Sequence, residues 1–261
     1  MKPPSPYNDV RLIGDGVIRG ATLVLPTQTV QDLLPHGLVL GAQTLTPPGT
    51  HPVVLFFHDL FRAHMNIPNL LPSMTYREQV VGIPFSYVSP SIAGSSGPFF
   101  FMPRLWLDNV LATLGGLLFW GFAKRLARYT VTADRYTVVE ESGHPLISLD
   151  FEPVGEPEPL SQFPHFEPLR QLMDQPLVSQ LPAAMGPLFA CSDFAKNWRT
   201  ARVRPLRTAV QIDTAFVTGL PCGRFPETDL HPGIDESPFG GYEIHTQWSQ
   251  GLIYPPALHR M

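Results

Sequence analysis

Proline and glycine interrupt this chain too often for a helix bundle. Thirty prolines and twenty-one glycines stand among its 261 residues. Each proline fixes φ and removes a backbone donor, so the chain must turn often and cross irregular connections. The apolar segments between these breaks read as strands. Ala21–Leu25 and Pro52–His58 are continuous apolar runs of strand length. Tyr76–Tyr87 and Phe99–Leu107 form a second pair, with the Ser-, Gly- and Pro-rich stretch 89–98 as the loop between them. Shorter strands are expected at Tyr129–Ala133, Thr137–Glu140 and Leu146–Phe151, then at Arg199–Thr218 and Tyr242–Trp248. Residues 1–16 read as a loose N-terminal arm, residues 62–75 as an irregular insertion, and residues 153–187 as proline-rich chain with a helical piece near Leu169–Met173. Thr29-Val30-Gln31-Asp32 resembles a capping box at the start of a short helix, with Pro35-His36-Gly37 as its stop. The pattern is one β-dominated α+β domain over residues 1–261.

Composition narrows the partners. Hydrophobic residues make up 44% and charged residues 15% of the chain, enough for a sizeable core under a modestly charged surface. A net charge of −4 calls for no nucleic acid. Cys191 and Cys222 allow one disulfide at most. Met1-Lys2-Pro3-Pro4-Ser5-Pro6 lacks the apolar region of a signal peptide. The longest apolar run, Val110–Ala123, falls short of the roughly twenty residues that span a bilayer. A buried segment in a soluble, cytoplasmic protein with no membrane partner is expected.

Lys124 closes that apolar run. It is one of only three lysines, the others being Lys2 and Lys196. Asp108 or Asn109 caps a helix carrying Leu111, Leu114, Leu117 and Leu118, apolar on nearly every side. Gly115-Gly116 weakens its middle and Gly121 lies beyond its end, so Lys124 sits in extended or turning chain. Two readings apply. The stem packs while the ammonium reaches water, or desolvation disfavours the charged form and leaves an amine able to form a Schiff base.

Other chemistry is sparse. No metal-ligand spacing, Gly-x-Ser-x-Gly elbow or cofactor motif occurs. Gly14-Asp15-Gly16-Val17-Ile18-Arg19-Gly20 fits a dinucleotide fingerprint poorly, because its last glycine is one place late and no strand precedes it. His58 reads as a hydrogen-bonded core residue. The arginines at 199, 202, 204 and 207 read as a solvated or edge-protecting face.

Two segments resemble the acetoacetate decarboxylase superfamily. The first is Leu107-Asp108-Asn109, fourteen residues, then Lys124-Arg125-Leu126; the second is Tyr76-Arg77-Glu78 with Gly82-Ile83-Pro84. The resemblance implies a Schiff-base lysine at Lys124 and a pocket glutamate at Glu78. It also implies a largely antiparallel, cone-like β-barrel with a few peripheral helices, a homo-oligomer, a small carbonyl substrate and no cofactor. In the decarboxylase, a second cation beside the lysine and an apolar pocket are both held to lower its pKa. Here that second cation is Arg125, and the proline before the lysine is Ala123. Tyr76, Arg125 and Arg19 are the expected substrate-binding residues, Arg19 standing nearest to the family's N-terminal pocket arginine. The family's other acidic pocket residue falls near Val53 or Val54. These departures keep three readings open: a β-keto acid decarboxylase, an imine-dependent aldolase-dehydratase or cyclase on a larger apolar substrate, and a non-catalytic apolar pocket.

Overall fold

The apolar run at Pro52–His58 lies deep within a single large sheet. The computed structural model describes residues 10–67, 72–89, 96–181, 188–226 and 230–255. In chain order the strands are β1 (Arg11–Pro26), β2 (Leu38–Leu40), β3 (Thr50–Met65), β4 (Met74–Val88), β5 (Ser96–Leu107), β6 (Lys124–Leu126), β7 (Arg128–Val131) and β8 (Arg135–Val139). They continue with β9 (Pro145–Pro153), β10 (Glu158–Pro159), β11 (Leu177–Leu181), β12 (Leu188–Ser192), β13 (Phe194–Lys196), β14 (Arg202–Ile212), β15 (Gly223–Phe225) and β16 (Gly241–Gly251). The helices are α1 (Thr27–Gln31), α2 (Val110–Trp120) and α3 (Phe166–Met173).

The main path runs β12-β11-β5-β4-β3-β1-β16-β14-β9-β8-β7. Its pairs are antiparallel except β5 with β11; off the path, β6 also joins β5 in parallel. Among the described residues the path does not close. The structure therefore establishes a β-dominated mixed sheet with few helices, and the closed barrel goes no further than an expectation.

Both faces of the central strands are buried, which is why β3 reads as an unbroken apolar run. Val53, Leu55 and Phe57 face one core with Ala21, Leu23, Val81 and Ile83. Val54, Phe56 and Leu60 face a second core with Ile18, Tyr76, Val80 and Phe100. Side-chain alternation along each strand thus divides the residues between two interiors.

The β5–α2–β6 unit is a crossover. Parallel neighbours need a connection of about a dozen residues or more, usually helical. Residues 108–123 supply it, and Leu105 pairs with Lys124 in register. The Asn109 side chain accepts the Ala112 amide at 3.0 Å, capping the helix. Gly121 ends it in the left-handed conformation, φ 66°, and its amide reaches the Leu117 carbonyl at 3.2 Å.

Several expectations need correction. Residues 11–16 are strand rather than loose arm; residues 1–9 lie outside the described set. Their glycines serve close packing, since a Cβ on Gly14 would meet Trp248 and the Phe61 carbonyl at 3.0 Å. The same strand removes any dinucleotide turn at residues 14–20. Helix α1 begins at Thr27, and Asp32 accepts from Gln28 instead of closing a capping box. Strand β3 continues to Met65 and β4 starts at Met74, which narrows the insertion. The strand expected over Arg199–Thr218 is confined to Arg202–Ile212. Cys191 and Cys222 are unpaired. The apolar helix is only half covered: Ala112, Thr113, Gly116 and Trp120 are buried, while Val110, Leu111, Leu114 and Leu118 are 51–77% exposed. No described helix is long and apolar enough to cross a membrane.

Candidate functional site

Strands β3, β4 and β5 send alternate side chains into a cavity in the second core. His58 comes from β3; Tyr76, Glu78 and Val80 from β4; Phe100, Met102 and Leu105 from β5. The crossover then delivers Lys124 to the same space. The cavity measures about 50 Å³, room for roughly four waters by a similar measure. Phe56, Leu177 and Trp248 help to make most of its wall apolar.

Lys124 and Glu78 form an ion pair within this wall. Nζ lies 2.9 Å from Oε1, and the two side chains are 9% and 11% exposed. His58 Nδ1 stands 3.7 Å from the other carboxylate oxygen. Burial alone would raise the Glu78 pKa. The Lys124 charge and the interaction with His58 outweigh it and hold the carboxyl at about 2. Tyr76 is pushed the other way, by burial first and by the Glu78 charge second, so its phenol keeps its proton. The resting site is a lysine–carboxylate pair sealed in apolar walls, with a phenol beside it.

Gly116 explains how the lysine fits. The Lys124 stem passes directly over its Cα, and an added Cβ would collide with Cδ and Cε and lie 2.8 Å from Nζ. Gly115, one residue earlier, meets nothing nearer than Phe119 at 4.0 Å. Gly116→Ala is therefore expected to displace the amine while sparing the fold, because the obstructing atoms are the mobile end of a side chain. Imine trapping should slow by about 10-fold or more, as a displacement of ~1 Å at a reacting group can. Gly115→Ala should instead stabilise the helix by up to ~1 kcal/mol with trapping unchanged. Equal trapping rates for the two variants would show that Gly116 does not position the lysine.

The other expected residues fall elsewhere. Arg125 follows Lys124 in extended chain and points to the opposite face, where its guanidinium lies 5.9 Å from the Trp106 ring centroid. It is not the cation beside the amine. Arg19 lies outside the cavity as well. It pairs with Asp59 at 2.7 Å and with Glu243 at 2.9 Å, near the Phe151 and Tyr136 rings of the first core. Strand β14 is interior, between β16 and β9, so its arginines do not guard an edge. Arg204 and Arg19 are the direct cross-strand partners of Glu243, which is buried between them and His245. Opposite charges placed across strands tie β1, β16 and β14 together.

Two cavity residues were not expected. His58, in sequence a hydrogen-bonded core histidine, lines the cavity against Glu78; its position in phase with Glu78, its register partner on β4, is the available signal. Lys196 lines the same cavity from β13. Only its scarcity as one of three lysines marked it.

The acetoacetate decarboxylase (ADC) family profile matches residues 13–181. The match takes in Glu78 and Lys124 and ends before Lys196. No curated protein matches the chain. Among solved structures, the chain is similar in fold to the enduracididine biosynthesis enzyme MppR complexed with the condensation product of pyruvate and imidazole 4-carboxaldehyde. The identity is 12% and the TM-score 0.54, covering 100% of this chain and 92% of that one. It is also similar to acetoacetate decarboxylase from Legionella pneumophila subsp. pneumophila str. Philadelphia 1. There the identity is 13% and the TM-score 0.55, with 97% and 92% of the two chains covered.

Proposed function

Because the chain belongs to the acetoacetate decarboxylase family, we propose that it is a Schiff-base lyase acting on a small keto acid, with Lys124 as the nucleophile. The observation that carries this reading is the Lys124–Glu78 ion pair buried in an apolar cavity. A non-catalytic pocket has no need to bury an amine against a carboxylate, a costly arrangement for two ions.

Glu78 stands close enough to take the amine's proton. Moving that proton also removes the ammonium charge that holds the Glu78 carboxyl low, so the transfer makes Glu78 a better base. The neutral amine adds to the substrate carbonyl, water leaves, and a protonated imine forms. With a β-keto acid, the electron pair of the carbon–carboxyl bond moves into this imine and carbon dioxide departs. Protonation of the resulting enamine and hydrolysis of the imine return the amine and release a ketone. The cavity's small volume favours an acid of a few carbons over the larger apolar substrate of the aldolase-type alternative. The MppR complexes with pyruvate and its condensation product keep retention of the carboxyl group open as a second outcome of the same imine.

Incubation with acetoacetate or pyruvate, borohydride reduction and peptide mass spectrometry provide the test. A reduced adduct on Lys124 is expected. Carbon dioxide release with acetoacetate marks the decarboxylase; an adduct without release marks the condensing enzyme. No adduct with either acid would sink both and leave a binding protein.

The homo-oligomer implied by the family resemblance has support in the uncovered face of α2. Leu114→Glu with Leu118→Glu is expected to weaken self-association by at least about 30-fold, read by analytical ultracentrifugation. A wild-type protein that sediments as a 29.0 kDa monomer would refute this.

A further inference from the structure

We propose that Lys196 is the carboxylate-recognising cation of the site, holding the acid group of a keto acid while its carbonyl lies at Lys124. This deepens the Schiff-base reading and rests on it for the position of the carbonyl.

Lys124 and Lys196 arrive from distant parts of the sheet. Strand β6 joins at β5 and β13 joins at β16, with β4, β3 and β1 between. Both lysines nevertheless line one cavity. Their surroundings differ in one decisive respect. Lys124 has Glu78 at 2.9 Å, whereas no described carboxylate lies within ion-pair distance of Lys196. The Lys196 Nζ donates to the Met173 carbonyl at 2.8 Å and stands 4.8 Å from the Phe194 ring centroid and 5.7 Å from that of Trp198. An ammonium has three donors, so this arrangement orients the group and leaves donors over for a ligand. Aromatic faces favour the cation but do not neutralise it.

Charge complementarity names the ligand class. With both lysines charged and Glu78 ionised, these three residues carry one surplus positive charge. That matches a monocarboxylate. The lysine is also placed for entry: Lys196 and Trp248 line both the inner cavity and a wider, open basin shared with Asp15, Arg62 and His64. Lys196 is the cation that lines both spaces. This supplies the function that Arg125 and Arg19, both outside the cavity, do not.

Protonation follows the same logic. Burial lowers the Lys196 pKa to about 8, and Asp174, at the end of α3, pulls it partly back up. Asp174 itself accepts the Trp198 indole N–H, while Asp15 in the basin pairs with Arg62. Across the cavity stand Glu78, Lys124, His58 and Tyr76. Affinity for a keto acid should therefore fall as pH rises through about 8, and Lys196→Met should lose that dependence.

A cation on the carboxylate stabilises the bound acid at least as much as the transition state for its loss, so Lys196 acts on binding rather than on bond breaking. Lys196→Met is expected to raise the acetoacetate concentration for half-maximal trapping on Lys124 by about 10- to 100-fold, the size of a charge-assisted contact. Trapping of ethyl acetoacetate, which has the carbonyl without the charge, should change little, and that also reports a folded site. Lys196→Arg should recover part of the loss. Equal losses for acid and ester, unchanged acid trapping, or a reduced adduct on Lys196 itself would each overturn the proposal. Calorimetry with butyrate, a carboxylate without a carbonyl, separates the two readings. Binding by the wild type that is lost in Lys196→Met sustains the Lys196 assignment even where no adduct forms on Lys124. Equal butyrate binding by both proteins would refute it.

Discussion

Lys124→Met should abolish the borohydride-trapped adduct and lower turnover by at least about 10⁴-fold, because it removes the atom that bonds to substrate. The variant should also become less stable in a pH-dependent way. Methionine leaves Glu78 buried with His58 as its one remaining ion-pair partner among the described residues. Deprived of the ammonium, the buried carboxyl has a folded pKa above its unfolded value. Such a group supports the fold at low pH, and its contribution disappears as pH rises through the folded pKa. Melting curves should therefore show the variant weakening between about pH 5 and 8 relative to the wild type. Removing one member of a buried pair costs about 3–5 kcal/mol. The double variant Lys124→Met/Glu78→Gln should recover much of that cost, since no unpaired charge then remains. A stable, fully active Lys124→Met protein would end the nucleophile assignment. A double variant no more stable than the single one would show that the pair is not energetically coupled.

Glu78→Gln tests the other half of the pair. Turnover is expected to fall by about 10²- to 10⁴-fold, the range for losing a positioned proton acceptor. Slow adduct formation on Lys124 should survive, because the amine remains. The acid limb of stability supplies a readout independent of activity. In the wild type, Glu78 falls from an ordinary 4.5 to about 2 in the folded protein. A depressed carboxyl stabilises the fold above its unfolded pKa, and that stabilisation is lost as pH falls through the folded one. Between about pH 4.5 and 2 the wild type should thus lose on the order of 2–3 kcal/mol through this group. Glu78→Gln should lack that step in an acid titration followed by circular dichroism. Identical acid limbs in the two proteins would mean that the carboxylate is not held by Lys124.

Much of this site could be read directly from the chain. Lys124 stands out because a lysine rarely ends a fourteen-residue apolar run. Its spacing from Asp108 and Asn109 is the length of a helical crossover between parallel strands, a local constraint that sequence carries in full. Tyr76 and Glu78 share a face by simple alternation. Arg125 could have been set aside on the same ground, since adjacent residues of a strand point to opposite sides. Gly116 was legible only as a weak spot in a helix; the reason for it is a side chain from beyond the helix end, folded back over its Cα.

Arg19, Arg204 and Lys196 show where local reading stops. A strand whose two faces are both buried carries no polar face to mark which interior a given residue enters. Arg19 therefore looked as eligible for the pocket as any other cation, although it serves a cross-strand ion pair with Glu243, more than two hundred residues away in sequence. Lys196 is the converse case. Nothing near it in the chain marks a pocket, because the pocket is made of strands that are far apart in sequence. What the sequence determined alone is what alternation and capping control: most of the strands and the helix that leads to Lys124, with the pairing of Lys124 and Glu78 in one pocket implied only by the family resemblance of their segments. Only the tertiary structure decided which of two cores each face enters and which cations share a cavity, because those depend on how a long sheet curls and pairs across the whole chain.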